Sequence, residues 1–185
     1  MNRTPKIILS LLAVGGLSWL AFDFFGIQAL FIDQEVKEEI PEAVSILISR
    51  EDGDTSDSAG EGSKLLGKGS FKQGDSTYTI SGKAFLSQVE GSLNLTFTDF
   101  DVSNGPDLFV YAVKTDSTEN KQLKETVSNC DFINLGSLKG NIGDQNYFLE
   151  AGFDPKEYQV RSIWCRRFGR NFGSVVLERP HPTNI

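Results

Sequence analysis

The sequence predicts an all-β fold: an antiparallel β-sandwich preceded by an N-terminal transmembrane helix and an acidic disordered stalk. Three observations carry this reading. From about Lys64 onward, apolar and polar residues alternate with period two, as in residues 77–81 and 93–98, where Leu93, Leu95 and Phe97 share one face. Turn residues punctuate the runs: Asn104-Gly105-Pro106-Asp107, Lys139-Gly140-Asn141 and Asp154-Pro155. No long amphipathic helical window interrupts them, and 14 Phe with 18 Gly lean towards strands and tight turns.

Residues 1–32 read as a cytoplasmic tip and a membrane anchor. The run 7–32 contains one charge, Asp23, and exceeds the roughly 20 apolar residues a spanning helix needs. Arg3 and Lys6 precede it, whereas Asp33, Glu35, Glu38 and Glu39 follow. The positive-inside rule then leaves the N-terminus in the cytoplasm and the rest of the chain outside it, a single-pass topology. Asp23 would cost about 3 kcal/mol at the bilayer centre. It falls late in the run, near the outer headgroups, where Trp19, Phe22, Phe24 and Phe25 form an aromatic belt. A cleaved signal is the rival reading. Ala13-Val14-Gly15 offers a small-x-small site, but cleavage there would leave residues 17–32 as an orphan apolar segment.

Residues 33–63 read as the stalk and linker, with ten acidic and two basic residues. Residues 51–63 are acidic and rich in Gly and Ser, a composition that resists folding. The patch 44–48 suits either a membrane-proximal helix or a first strand.

Residues 64–179 form the sandwich domain, with strands expected at 77–81, 93–98, 108–113, 147–149, 159–165 and 172–178. Residues 64–185 carry fourteen charges of each sign. A neutral domain without a basic stripe argues against nucleic acid as a partner. Residues 180–185 are a tail.

Two scarcities limit the chemistry. His181 is the only histidine and Met1 the only methionine. Ordinary haem ligation, a two-histidine copper site and a multi-histidine zinc site are therefore disfavoured within one chain. A Ser-His-Asp triad would depend on His181, in the tail.

The segments around residues 70–86, 93–113, 133–150 and 158–178 resemble the DM-thirteen domain family. The likeness rests on Gly105-Pro106-Asp107-Leu108, Leu138-Lys139-Gly140-Asn141, Gln145-Asn146-Tyr147, Ile163-Trp164-Cys165, Phe168 and Phe172-Gly173, and it covers about residues 65–178. It implies an extracytoplasmic β-sandwich that often follows an anchor or signal. It also implies kinship with haem-binding sandwich domains of electron-transfer proteins, and a redox role at the family's shared cysteine, here Cys165.

On a strand over 160–166, Ile163, Cys165 and Arg167 would share one face, so Arg167 could favour a Cys165 thiolate. Three states of Cys165 stay open. They are a reactive thiol, an inert buried thiol, and one half of a Cys130–Cys165 disulfide, the last favoured by an oxidising compartment and an even cysteine count. Such a staple would contribute roughly 3–4 kcal/mol on the entropy model.

Asp99, Asp101, Ser103 and Asp107 fall on positions 1, 3, 5 and 9 of an EF-hand loop, but Asn104 and Val110 occupy the glycine and glutamate positions. This excludes an EF-hand and leaves Asp99, Asp101 and Asp107 as candidates for a looser calcium site. Gly62–Gly69 mimics a phosphate loop without its Ser/Thr, and Asn94-Leu95-Thr96 is a glycosylation sequon.

The expected function is a membrane-anchored redox or electron-transfer module centred on Cys165. The alternative is a structural or adhesion module at the cell surface, stapled by Cys130–Cys165, that binds an extracytoplasmic protein or a glycan. No pair of carboxylates is spaced in a way that singles out an acid/base enzyme.

Overall fold

The computed structural model describes residues 4–24, 32–51 and 62–179. In chain order the elements are α1 (Thr4–Phe24), α2 (Glu42–Glu51), β1 (Lys64–Ser70), β2 (Lys72–Gln73), β3 (Ile80–Val89), β4 (Ser92–Val102), β5 (Leu108–Val113), α3 (Asn120–Ser128), β6 (Phe132–Ser137), β7 (Gln145–Leu149), β8 (Val160–Cys165) and β9 (Arg170–Val176).

The strands form two sheets, ordered β1-β3-β4-β7 and β2-β9-β8-β5-β6. Every pairing within them is antiparallel. The mostly antiparallel, two-sheet sandwich expected from the alternation is therefore present. Alternation explains which side chains meet. Leu95 and Phe97 of β4 pack with Leu108 and Val110 of β5, Ile163 and Cys165 of β8, and Phe172 of β9. The opposite face of the β5–β8 pair carries Tyr111, Val113, Val160 and Trp164, and α3 covers it with Leu123 and Val127. That helix has only nine residues, so its one i,i+4 apolar pair gives little periodicity to read. Glu119 caps it by accepting from the Lys121 and Gln122 main-chain N–H groups.

The N-terminal boundary of the packed domain moves. Residues 33–51 were expected as stalk, yet they lie against the sandwich. Val36 N–H donates to Ile142 O at 2.8 Å, and Glu38 N–H to Asp144 O at 3.0 Å. Glu38 pairs with Lys139 Nζ at 2.7 Å and accepts from Asn146 N–H at 2.8 Å. Val44 and Leu47 of α2 are buried. Acidity in this segment thus serves specific bonds as well as solvation, which composition cannot show. Gly143, with φ +101°, makes the close approach possible, because a Cβ there would collide with the Val36 carbonyl. The acidic residues 52–61, the aromatic Phe25, and His181 with the tail lie outside the described residues, as do the side chains of Phe22, Asp23 and Phe24.

Along α1, Ile8, Leu11, Leu12, Val14, Leu17 and Trp19 are 57–69% exposed. Among the described residues no helix is long and apolar enough to cross a membrane. The apolar run 7–32 continues past Phe24, the last described residue of α1.

Candidate functional site

Every residue of β8 is buried, and the strand ends at Cys165. Residues 166–169 then turn back into β9. The expected placement of Arg167 on the Cys165 strand face does not hold, because the turn begins one residue after the cysteine. Cys165 is 0% exposed, and its Sγ donates to Pro106 O at 3.1 Å. Burial pushes the thiol above its ordinary pKa. The main-chain N–H groups of Phe168 and Arg167 pull it down, Asp107 pushes it up, and the Arg167 charge pulls it down, with burial prevailing. The Arg167 charge is the smallest of these influences and burial outweighs it. The group is a protonated thiol at neutral pH.

The cysteines are not paired. Both are free; Cys130 is exposed and Cys165 buried. The topology explains why. Cys165 sits opposite Leu108 at one end of β5, whereas Cys130 lies two residues before Phe132, which sits opposite Val113 at the other end. Five strand residues separate those ends by about 17 Å, far beyond the roughly 4.4–6.8 Å between the Cα atoms of a disulfide. The expected Cys130–Cys165 staple is therefore not formed.

The loop of residues 103–107 packs over Cys165. Gly105 rests against the Phe172 ring, which a Cβ would strike at 2.6 Å, and Tyr78 stacks on the same ring at 3.6 Å between centroids. Asp107 accepts from Arg166 through both Nε, at 3.2 Å, and Nη2, at 3.1 Å. The Arg166 guanidinium lies 4.3 Å from the Phe109 ring centroid. Beside this loop a cavity of about 510 Å³ is lined by Asp33, Asn104, Asp107, Leu138 and Asn141, among others. Asp33 accepts from Asn104 Nδ2 at 2.7 Å and Asn141 Nδ2 at 3.0 Å. Gln145 Oε1 accepts from Lys139 N–H at 3.2 Å and from the Tyr147 hydroxyl at 2.8 Å. These polar groups fix loop 137–145 against the N-terminal segment, and Cys165 is the one sulfur among the described residues at this end.

The candidate calcium ligands do not converge. Asp101 belongs to β4 and bridges to Ile142. Asp99, at φ +50°, donates its N–H to Asp144 Oδ1 at 3.0 Å, and Asp107 is bound to Arg166. Among the described residues no three His, Cys, Asp or Glu side chains come together to hold a metal ion. The EF-like spacing arises because β4 runs through Asp99 and Asp101 before the Gly105-Pro106 turn.

Arg161 and the Asp107–Arg166 pair escaped the sequence reading. A signal existed for Arg161, which has the same strand parity as Ile163 and Cys165 and so had to face the interior.

The electron transfer DM13 family model matches residues 70–177, more than half of the chain. The chain belongs to this family. No curated protein and no solved structure matches it. Within the DM13 match lie Gly105–Leu108, Leu138–Asn141, Gln145–Tyr147 and Ile163–Cys165, and Cys165 sits directly beneath the first of these segments.

Proposed function

We propose that this DM13 chain is a membrane-tethered, extracytoplasmic electron-transfer module in which Cys165 exchanges the electron. The observation that carries the reading is a free, buried thiol beneath the Asn104–Asp107 loop of an electron transfer DM13 domain. Burial rules out direct thiol–disulfide exchange with a macromolecule while the fold is intact. It also disfavours a charged thiolate, so sulfur oxidation must release the S–H proton together with the electron. One electron passes to an external one-electron acceptor, one proton leaves, and a neutral sulfur radical remains to be re-reduced by a donor. The apolar, exposed face of α1 and the sign change across run 7–32 support the tether and an extracytoplasmic domain.

Electron exchange between the full chain in detergent and a soluble one-electron mediator tests this. Exchange should fall at least tenfold in folded Cys165→Ser and hold in Cys130→Ser; equal exchange in all three proteins refutes it.

The complete burial of Cys165 favours one second reading, an interaction module at the cell surface in which the cysteine only fills the core. It requires no Cys130–Cys165 staple. On that reading Cys165→Ser lowers stability and leaves partner binding intact.

A further inference from the structure

Arg161 is 0% exposed, on the interior face of β8, four residues or about 13 Å of strand from Cys165. Its Nη1 donates to Tyr158 O at 2.7 Å and Val160 O at 3.3 Å. Its Nε and Nη2 have no hydrogen-bond partner among the described residues. Nε and Nη2 are the two donors on one edge of a guanidinium, a fork that matches the two oxygens of a carboxylate. In the same protein Arg166 uses those two atoms to hold both oxygens of Asp107. Burial lowers the Arg161 pKa only to about 9, so the group stays charged at neutral pH. A buried charge without a counter-charge is costly, so a carboxylate on this fork is strongly favoured over none.

The surroundings define the rest of the ligand. Loop 150–159 lies over the guanidinium, with the Phe153 ring centroid 5.0 Å from its central carbon. The same loop contributes Pro155, Lys156 and Gln159 to a cavity of about 860 Å³; Arg161, fully buried, does not itself line that cavity, so only a displacement of the loop would join the two. Lys64, Lys156 and Arg179 give that cavity a cationic rim against the single carboxylate of Glu178, while Leu65, Leu86 and Leu177 give it apolar wall. Its size suits a small organic molecule. A cationic rim selects for anions, and leucine walls select for an apolar body.

We propose that Arg161 is the base of a binding site for a small organic carboxylate with an apolar body, admitted by movement of loop 150–159. The site lies at the opposite end of β8 from Cys165 and does not depend on the redox reading.

The test titrates the full chain with benzoate by calorimetry and thermal melting, against acetate, inorganic phosphate and chloride at equal ionic strength. Benzoate should saturate and raise the melting temperature, acetate should bind more weakly, and phosphate and chloride should give no saturable response. Arg161→Lys keeps the charge and loses the fork, so it should weaken benzoate at least tenfold, and Arg161→Met should abolish binding. Cys165→Ser should bind as the unaltered chain does. The proposal fails if benzoate does not saturate, if phosphate or chloride matches it, or if Arg161→Lys binds benzoate unchanged.

Discussion

The Cys165 Sγ donates to the Pro106 carbonyl oxygen at 3.1 Å, across 59 residues of sequence. That bond ties the end of β8 to the loop between β4 and β5. It gives a buried thiol a partner for its proton, and it makes the sulfur part of the fold as well as a candidate redox centre. Cys165→Ser should therefore lower unfolding free energy by about 1–3 kcal/mol, since a shorter hydroxyl replaces a well-packed thiol in a site built around sulfur. Urea denaturation measures this, and an unchanged midpoint would contradict it.

The two thiols should separate by reactivity. Native alkylation followed by mass spectrometry should label exposed Cys130 and spare Cys165, with both labelled after denaturation. A native Cys130–Cys165 disulfide would contradict the topology that holds them at opposite ends of β5.

Acid stability should depend on Asp75. Burial works to raise its pKa, but bonds from Lys124, at 2.6 Å, and Asn120, with the charges of Lys124 and Arg170, bring it below the ordinary 3.8. The carboxylate is thus favoured in the folded state. Its contribution is complete above the unfolded pKa of about 3.9 and disappears as pH falls through the lower folded value. Asp75→Asn should lower stability at pH 7 and flatten the loss between pH 7 and pH 3, read from melting temperatures across that range. A parallel curve for both proteins would refute the assignment.

The N-terminal segment should behave as part of the domain. Gly143→Ala places a methyl against the Val36 carbonyl at a positive φ and should cost about 1–3 kcal/mol. Limited proteolysis should then cut within residues 33–51 far faster than in the unaltered chain. Equal cleavage rates would show that the segment is not held by this contact.

How far the sequence disclosed these features follows from how local their causes are. The alternation of Leu93, Leu95 and Phe97 reports one inward face of β4, so the sandwich was legible. Asn104-Gly105-Pro106-Asp107 reports its own turn. By contrast, Glu38 reads as stalk charge until Lys139 and Asn146 meet it from about a hundred residues away. An even cysteine count favours a Cys130–Cys165 pairing because count carries no distance, whereas strand register does. Strand parity puts Arg167 beside Cys165 only if the strand continues, and residues 166–169 turn. Parity correctly applied within β8 puts Arg161 inside, yet only the folded neighbours reveal that no carboxylate among the described residues bonds it.

The most direct test of Cys165 as the electron-exchanging group is protein-film voltammetry of the full chain and its cysteine variants across pH 6–8. The account predicts a one-electron wave that shifts by about 59 mV per pH unit, as one proton leaves with each electron. The wave should persist in Cys130→Ser and vanish in folded Cys165→Ser. A wave unchanged by Cys165→Ser, or no wave in the unaltered chain, would contradict it.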